Sequence, residues 1–268
     1  MNAAWARHDT EGPRVPDWMF PLIVSPFIGS FAAVLIRRLP LEQPVALARS
    51  RCEACGHVLG PWEMIPLLSA VALRMRCRWC RIRIPLMHVA VELACIAVAA
   101  GAILWAPDTS SIWLGCALGW CVLTLAWIDW DHMLLPDVLT LPLILAGLGV
   151  TLVFDPASAT DHAAAAAVGY LAFRGIDLVY RRLRGHDGLG QGDAKLLAAA
   201  GAWLGLMALP TVVFTAAIGG LLLAAGLRLA GRTIHRTVPI PFGPPLCAAI
   251  WAVWLGFDPV ALLAEWLA

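Results

Sequence analysis

Gly190-Gln191-Gly192-Asp193-Ala194-Lys195 sets a carboxylate and the chain's only lysine directly before an apolar run. A second acidic cluster, Asp129-Trp130-Asp131-His132 followed by Leu135-Pro136-Asp137, closes another apolar run. An ionisable group at the mouth of a membrane span is costly to keep there, so its presence points to function. Carboxylates from the two clusters, brought together at a membrane face, can do acid/base chemistry. The residue types alone leave the partner of Asp193 open among Asp129, Asp131 and Asp137, and Asp131 or Asp137 can instead cap the following helix. Lys195 either orients or neutralises Asp193, or snorkels from a span end toward water. Gly190 and Gly192 permit close backbone approach and unusual dihedrals beside Asp193.

The elements that must position these groups are membrane helices. Hydrophobic residues make up 60% of the 268 positions, charged residues only 14%, and the mean hydropathy is +0.78. A soluble domain carries charge at about a quarter of its positions. The composition therefore predicts an all-α polytopic membrane protein. A span needs roughly 20 mainly apolar residues, and eight runs qualify, near residues 18–36, 86–106, 111–129, 138–154, 162–180, 195–208, 210–230 and 245–266. Arg174 and Asp177 lie three apart within the fifth run, a spacing that puts them on one helix face as an ion pair near the water interface. The thirteen tryptophans, among them Trp18, Trp105, Trp113, Trp127, Trp203 and Trp254, fall mostly near run ends, where an amphipathic ring anchors in the interface.

Basic residues concentrate in segments 37–85, 181–195 and 228–240, which an eight-span arrangement places on one side. The positive-inside rule makes that side cytoplasmic and sends both acidic clusters to the same face. Both termini then face outward. A net charge of +1 gives no support to a nucleic-acid partner. The polar first seventeen residues, and a first run that continues into Arg37-Arg38, lack the pattern of a cleavable signal peptide.

Between the first and second runs lies a soluble module with Cys52-x-x-Cys55 and Cys77-x-x-Cys80. Two such pairs match a four-thiolate zinc ribbon. Zinc would supply folding energy that a module this small cannot draw from its own core. Free or redox-active thiols are the alternative, and a cytoplasmic setting argues against two disulfides. His57 can replace a thiolate or stand as a solvated loop residue. Cys95, Cys116, Cys121 and Cys247 lie in apolar runs and read as small buried hydrophobes. The chain thus divides into an N-terminal tail (1–17), a first span (18–36), a cytoplasmic four-cysteine module (37–85) and a transmembrane domain (86–268).

In order along the chain stand Gly29-Ser30-Phe31 with Arg38-Leu39-Pro40, the four cysteines with Ile65-Pro66 between them, Glu92, Ile128-Asp129 through Pro136-Asp137, Gly190-x-Gly192-Asp193-x-Lys195, and Pro241-Phe242-Gly243-Pro244. Together, from Gly29 to about Leu246, they resemble a bacterial type IV prepilin peptidase, of the prepilin leader peptidase/N-methyltransferase family, an intramembrane-type aspartic protease. The resemblance implies that Asp129 and Asp193 are the catalytic pair. Two nearby carboxylates share a proton, so that the ionised one takes a proton from water while the other polarises the scissile carbonyl. It implies a prepilin or a type II secretion pseudopilin as substrate, cut at the cytoplasmic face of the inner membrane after the glycine ending its basic leader. It also implies methylation of the new N-terminus with S-adenosylmethionine.

That second activity is where the chain departs from the pattern. The family's Gly-Ser-Phe-Leu-Asn reads Gly29-Ser30-Phe31-Ala32-Ala33, and its Arg-Tyr-Pro before the glutamate reads Met87-His88-Val89. Glu92 is kept inside the second run, where a carboxylate needs a partner or a functional reason. No Rossmann-type glycine fingerprint marks a cofactor site. A peptidase without methyl transfer, an idle membrane scaffold docking through its four-cysteine module, and a transporter relaying ions through membrane-face carboxylates are the competing readings. The Pro241–Pro245 stretch breaks regular structure before the last run and forms either a substrate-facing loop or a plain one.

Overall fold

The computed structural model describes residues 16–45, 49–185, 190–231 and 241–259. All regular structure among them is helical: α1 (Phe20–Arg38), α2 (Leu68–Ala72), α3 (Leu86–Trp105), α4 (Thr109–His132), α5 (Asp137–Phe154), α6 (Ala159–Arg184), α7 (Gln191–Leu204), α8 (Leu209–Leu229) and α9 (Gly243–Trp254). Six helical segments are long and apolar enough to cross a membrane: Asp17–Leu41, Leu86–Trp105, Thr109–His132, Asp137–Phe154, Pro156–Arg184 and Leu209–Leu229. They correspond to six of the eight apolar runs, and the chain is a multi-pass membrane protein. The other two runs also form helices, but α7 has 14 residues and α9 has 12. At 1.5 Å per residue neither alone covers a hydrocarbon core of about 30 Å. The eighth run continues beyond residue 259, outside the described residues.

Local chemistry sets the ends of the helices that carry the acidic clusters. Asp108 caps α4, accepting from the Ser111 amide at 3.0 Å and the Ser111 hydroxyl at 2.6 Å. Met133, in the left-handed region at φ 52°, stops α4 directly after the acidic cluster. Leu134–Pro136 is irregular, and α5 restarts with Asp137 in its first turn. Gly205, at φ 78°, ends α7.

Packing divides around α4. On one side Ile112, Cys116 and Ile128 join Ala33 and Ile36 of α1 and Val91, Cys95 and Ala99 of α3. On the other, Leu118, Val122 and Leu125 join the buried residues of α5 to α9. α7 is the innermost helix, and all of Leu196–Trp203 is buried. Its small residues let α6 approach closely, as lipid-embedded helices require. A Cβ at Gly169 of α6 would lie 2.7 Å from the Leu197 carbonyl oxygen. Trp18 and Trp105 are exposed, at 45% and 65%, whereas Trp203, also near a run end, is 6% exposed and faces the core instead of an interface. The Trp203 indole donates to the Leu143 carbonyl at 2.9 Å and meets Trp254 edge-on at 5.5 Å. The ring spans two helices because its N–H finds a backbone acceptor inside the core. Arg174 and Asp177 form the expected pair at 3.2 Å, and Arg181 adds a contact at 3.4 Å on the same carboxylate oxygen.

The short strands expected of a zinc ribbon are reduced to two isolated antiparallel bridges, Arg51 with Val58 and Arg76 with Arg83. Each closes one Cys-x-x-Cys turn, and the chain leaves the pairing immediately on either side.

Candidate active site and metal centre

Asp129 belongs to the last turn of α4 and Asp193 to the first turn of α7. Both are buried, at 7% and 8% exposure. They open onto one cavity of about 420 Å³, lined also by Met133–Asp137, Gly190–Gly192 and Lys195. The sequence put Asp193 before a span beginning at 195; the helix starts earlier, at Gln191, and brings Asp193 into its first turn.

Gly243, the first residue of α9, donates its amide to Asp129 Oδ2 at 3.0 Å, and the Asp193 amide donates to the Gly190 carbonyl at 3.1 Å, which seats Asp193 at the start of α7. Gly192 packs against the α4–α5 connection, where a Cβ would lie 2.7 Å from Leu135 Cβ. Glycine is therefore required at 192 for close approach of the two cavity walls.

The other acidic candidates fall elsewhere. Asp131 is exposed and is not among the cavity-lining residues. Asp137 lines the rim, 57% exposed, and pairs with Lys195. The lysine thus ties the start of α5 to the start of α7, with Asp137 and not Asp193 as its partner.

Glu92 lies apart from this cavity, buried in α3 at 6% exposure. Its Oε2 accepts from the Leu67 amide at 2.8 Å. A Cβ at Gly29 would come within 2.6 Å of Glu92 Cα, so α1 and α3 touch backbone to backbone here. Leu67 is strained: φ 58° and ψ −50°, with the Leu68 amide donating to the Pro66 carbonyl at 2.6 Å, describe a tight three-residue turn rare for a side-chain-bearing residue.

The Cys52, Cys55, Cys77 and Cys80 sulfurs all lie within 4.8 Å of one another, and Cys52 and Cys80 are 3.7 Å apart. Thiolates at the corners of a zinc tetrahedron stand about 3.8 Å apart, given Zn–S of about 2.3 Å. The two turns repeat one pattern: Cys52 and Cys77 amides donate to the His57 and Ile82 carbonyls, and each cysteine's carbonyl accepts from four residues ahead. Backbone amides of Cys55 and then Ala54 lower the Cys52 thiol to about 7, whereas the Ile82 backbone hydrogen bond on Cys80 is outweighed by desolvation and the neighbouring thiols, which raise it to about 11; a metal would draw all four to thiolates. The cluster fits a zinc-binding module. His57 is not part of it; its ring packs on Trp79 at 4.5 Å. Cys95, Cys116 and Cys247 are buried and Cys121 is half-buried, as their apolar runs suggested.

The fold and the paired carboxylates define a polytopic membrane protein with an acidic site between two helix ends, joined to a small four-cysteine module. Comparison with known sequences narrows the class. The bacterial Peptidase A24 N-terminal domain matches residues 23–106, and the Type IV leader peptidase family matches residues 116–225. The chain is similar to proteins named prepilin leader peptidase/N-methyltransferase. That of Burkholderia pseudomallei strain 1026b is 40% identical over 258 residues, covering 85% of this chain and 82% of the relative. That of Aeromonas hydrophila is 38% identical over 274 residues, covering 91% and 93%. That of Pseudomonas aeruginosa is 36% identical over 266 residues, covering 89% and 90%. No solved structure gives a significant match. The chain belongs to the type IV leader peptidase family.

Proposed function

We propose that this chain is an aspartic endopeptidase of the bacterial inner membrane that removes the basic leader from type IV prepilins or type II secretion pseudopilins. The observation that carries the reading is the opening of Asp129 and Asp193, from separate helices, onto one cavity. Two carboxylates that share one cavity do not both ionise readily. The ionised one removes a proton from water, the resulting hydroxide adds to the scissile carbonyl, and the protonated one hydrogen-bonds the developing oxyanion. The proton then passes to the leaving amine. Gly190 leaves room for an extended peptide beside Asp193, Gly192 lets the start of α7 close against Leu135, and the Lys195–Asp137 pair holds the rim.

The same reading keeps an eight-run topology in which α7 and α9 are shorter helices enclosed by the six long ones, with the cavity and the four-cysteine module on the cytoplasmic side. The chain divides at 1–17, 18–36, 37–85 and 86–268, and Cys52, Cys55, Cys77 and Cys80 hold a structural zinc ion that supplies folding energy to the module.

The names of the relatives extend the reading to methylation of the new N-terminus with S-adenosylmethionine. The surroundings of Glu92 do not by themselves form a cofactor cradle: the carboxylate is bonded to Leu67, and Ala32 and Ala33 are buried in an apolar cluster. That observation favours a peptidase-only member as the second reading. Co-expression with a prepilin and mass spectrometry of its mature N-terminus separates the two. Cleavage with one added methyl group supports both activities, cleavage without it supports the peptidase alone, and no cleavage of any prepilin by inserted protein contradicts both.

A further inference from the structure

The Pro241–Pro245 stretch has no task in the chemistry described above. Its Gly243 opens α9, 114 positions from Asp129 in sequence, and donates its amide to Asp129 Oδ2 at 3.0 Å in a buried setting. The amide at the first position of a helix has no intrahelical acceptor, so this donor is free for the carboxylate. Nothing larger than glycine fits there. A Cβ at 243 would stand 2.7 Å from Asp129 Cγ and 3.1 Å from its Cβ, with the carboxylate oxygen closer still. Phe242 beside it packs on Phe173 of α6 with ring centroids 6.3 Å apart, which fixes the start of α9 against a third helix.

We infer that Gly243 is a positioning residue: its main-chain amide fixes Asp129 Oδ2 and turns the other carboxylate oxygen to the cavity shared with Asp193. The inference rests on the reading of Asp129 as a catalytic carboxylate. It makes the site a three-helix construction in which α4 and α7 supply the acids and α9 sets the rotamer of one of them. A carboxylate free to rotate about its last torsions spends part of its time out of reach of the water and the scissile carbonyl, which lowers turnover more than substrate binding.

The direct test replaces the Gly243 amide by an ester, through nonsense suppression with the α-hydroxy acid, in the full chain in lipid nanodiscs. The ester adds no atom and keeps the Phe242 carbonyl as acceptor of the Leu246 amide, though a weaker one. Prepilin cleavage should show kcat lower by about 10- to 100-fold, the worth of one hydrogen bond to a carboxylate, with KM within about twofold and only a small fall in the thermal midpoint. Gly243→Ala, which adds the clash, should lower kcat at least as far. Wild-type kcat in the ester variant overturns the inference, and so does a loss confined to KM or to thermal stability. Asp129→Ala, assayed in parallel, separates the two layers. If it is inactive while the ester variant is normal, only the role of Gly243 falls; if it cleaves at the wild-type rate, the reading of the carboxylate pair falls and this inference with it.

Discussion

Substituting Glu92 by Ala removes the acceptor of the Leu67 amide, and the consequence can be worked from the geometry. The 2.8 Å bond is buried and joins α3 to the turn Pro66–Leu68 of the four-cysteine module. A hydrogen bond of this kind contributes about 1–3 kcal/mol. Leu67, at φ 58°, stores strain of similar size, about 1–3 kcal/mol. With the carboxylate gone, only the backbone bonds of the turn, Leu68 amide to Pro66 carbonyl and Val71 amide to Leu67 carbonyl, still oppose relaxation of that strain, so the turn opens locally more often while α1 and α3 keep their packing. Hydrogen exchange followed by mass spectrometry on the full chain in nanodiscs should show faster exchange at residues 67–69 by about 5- to 150-fold, the range those 1–3 kcal/mol convert to. Exchange in α4 and α7 should stay unchanged. Glu92→Gln keeps a carbonyl acceptor and should lose less than Glu92→Ala. Wild-type protection at 67–69 in Glu92→Ala would refute the clamp.

Three further outcomes follow from the same geometry. Cys52→Ser or Cys80→Ser should reduce bound zinc from about one ion per chain to near zero by elemental analysis, and should expose residues 49–84 to protease while the spans stay intact. Gly192→Val drives a side chain into Leu135 across the cavity wall and should lower kcat for prepilin cleavage by about 100-fold, as misplacement near 1 Å does; unaltered kcat would argue that this wall does not set the site. Gly169→Ala puts a methyl against the Leu197 carbonyl and should cost about 1–3 kcal/mol of stability, read as a lower thermal midpoint with activity per folded molecule preserved.

Hydropathy made most of the helices legible, because a lipid-crossing segment must be long and apolar whatever it packs against. For the same reason hydropathy could not separate lipid-facing from core-facing positions: Trp203 has the sequence profile of an interfacial anchor and lies in the core. The Cys-x-x-Cys spacing identified the thiolate cluster because the constraint is local, whereas the strands expected around it shrank to single bridges. The two acidic clusters were visible as charges out of place. What assembles around them was not. Gly243 meets Asp129, and Glu92 meets Leu67, through contacts across 114 and 25 positions. A backbone amide as partner leaves no mark in side-chain chemistry. Lys195 stands two positions after Asp193 and at a span end, which suggests either of two roles, yet it pairs with Asp137 on another helix.

The most direct test of the central claim uses purified full-length protein in nanodiscs with a prepilin substrate, comparing wild type, Asp129→Asn and Asp193→Asn. Each replacement is close to isosteric, so insertion and folding should persist. Cleavage at the leader junction by the wild type and its loss in both variants is the predicted result; wild-type cleavage by either variant would contradict a shared carboxylate pair.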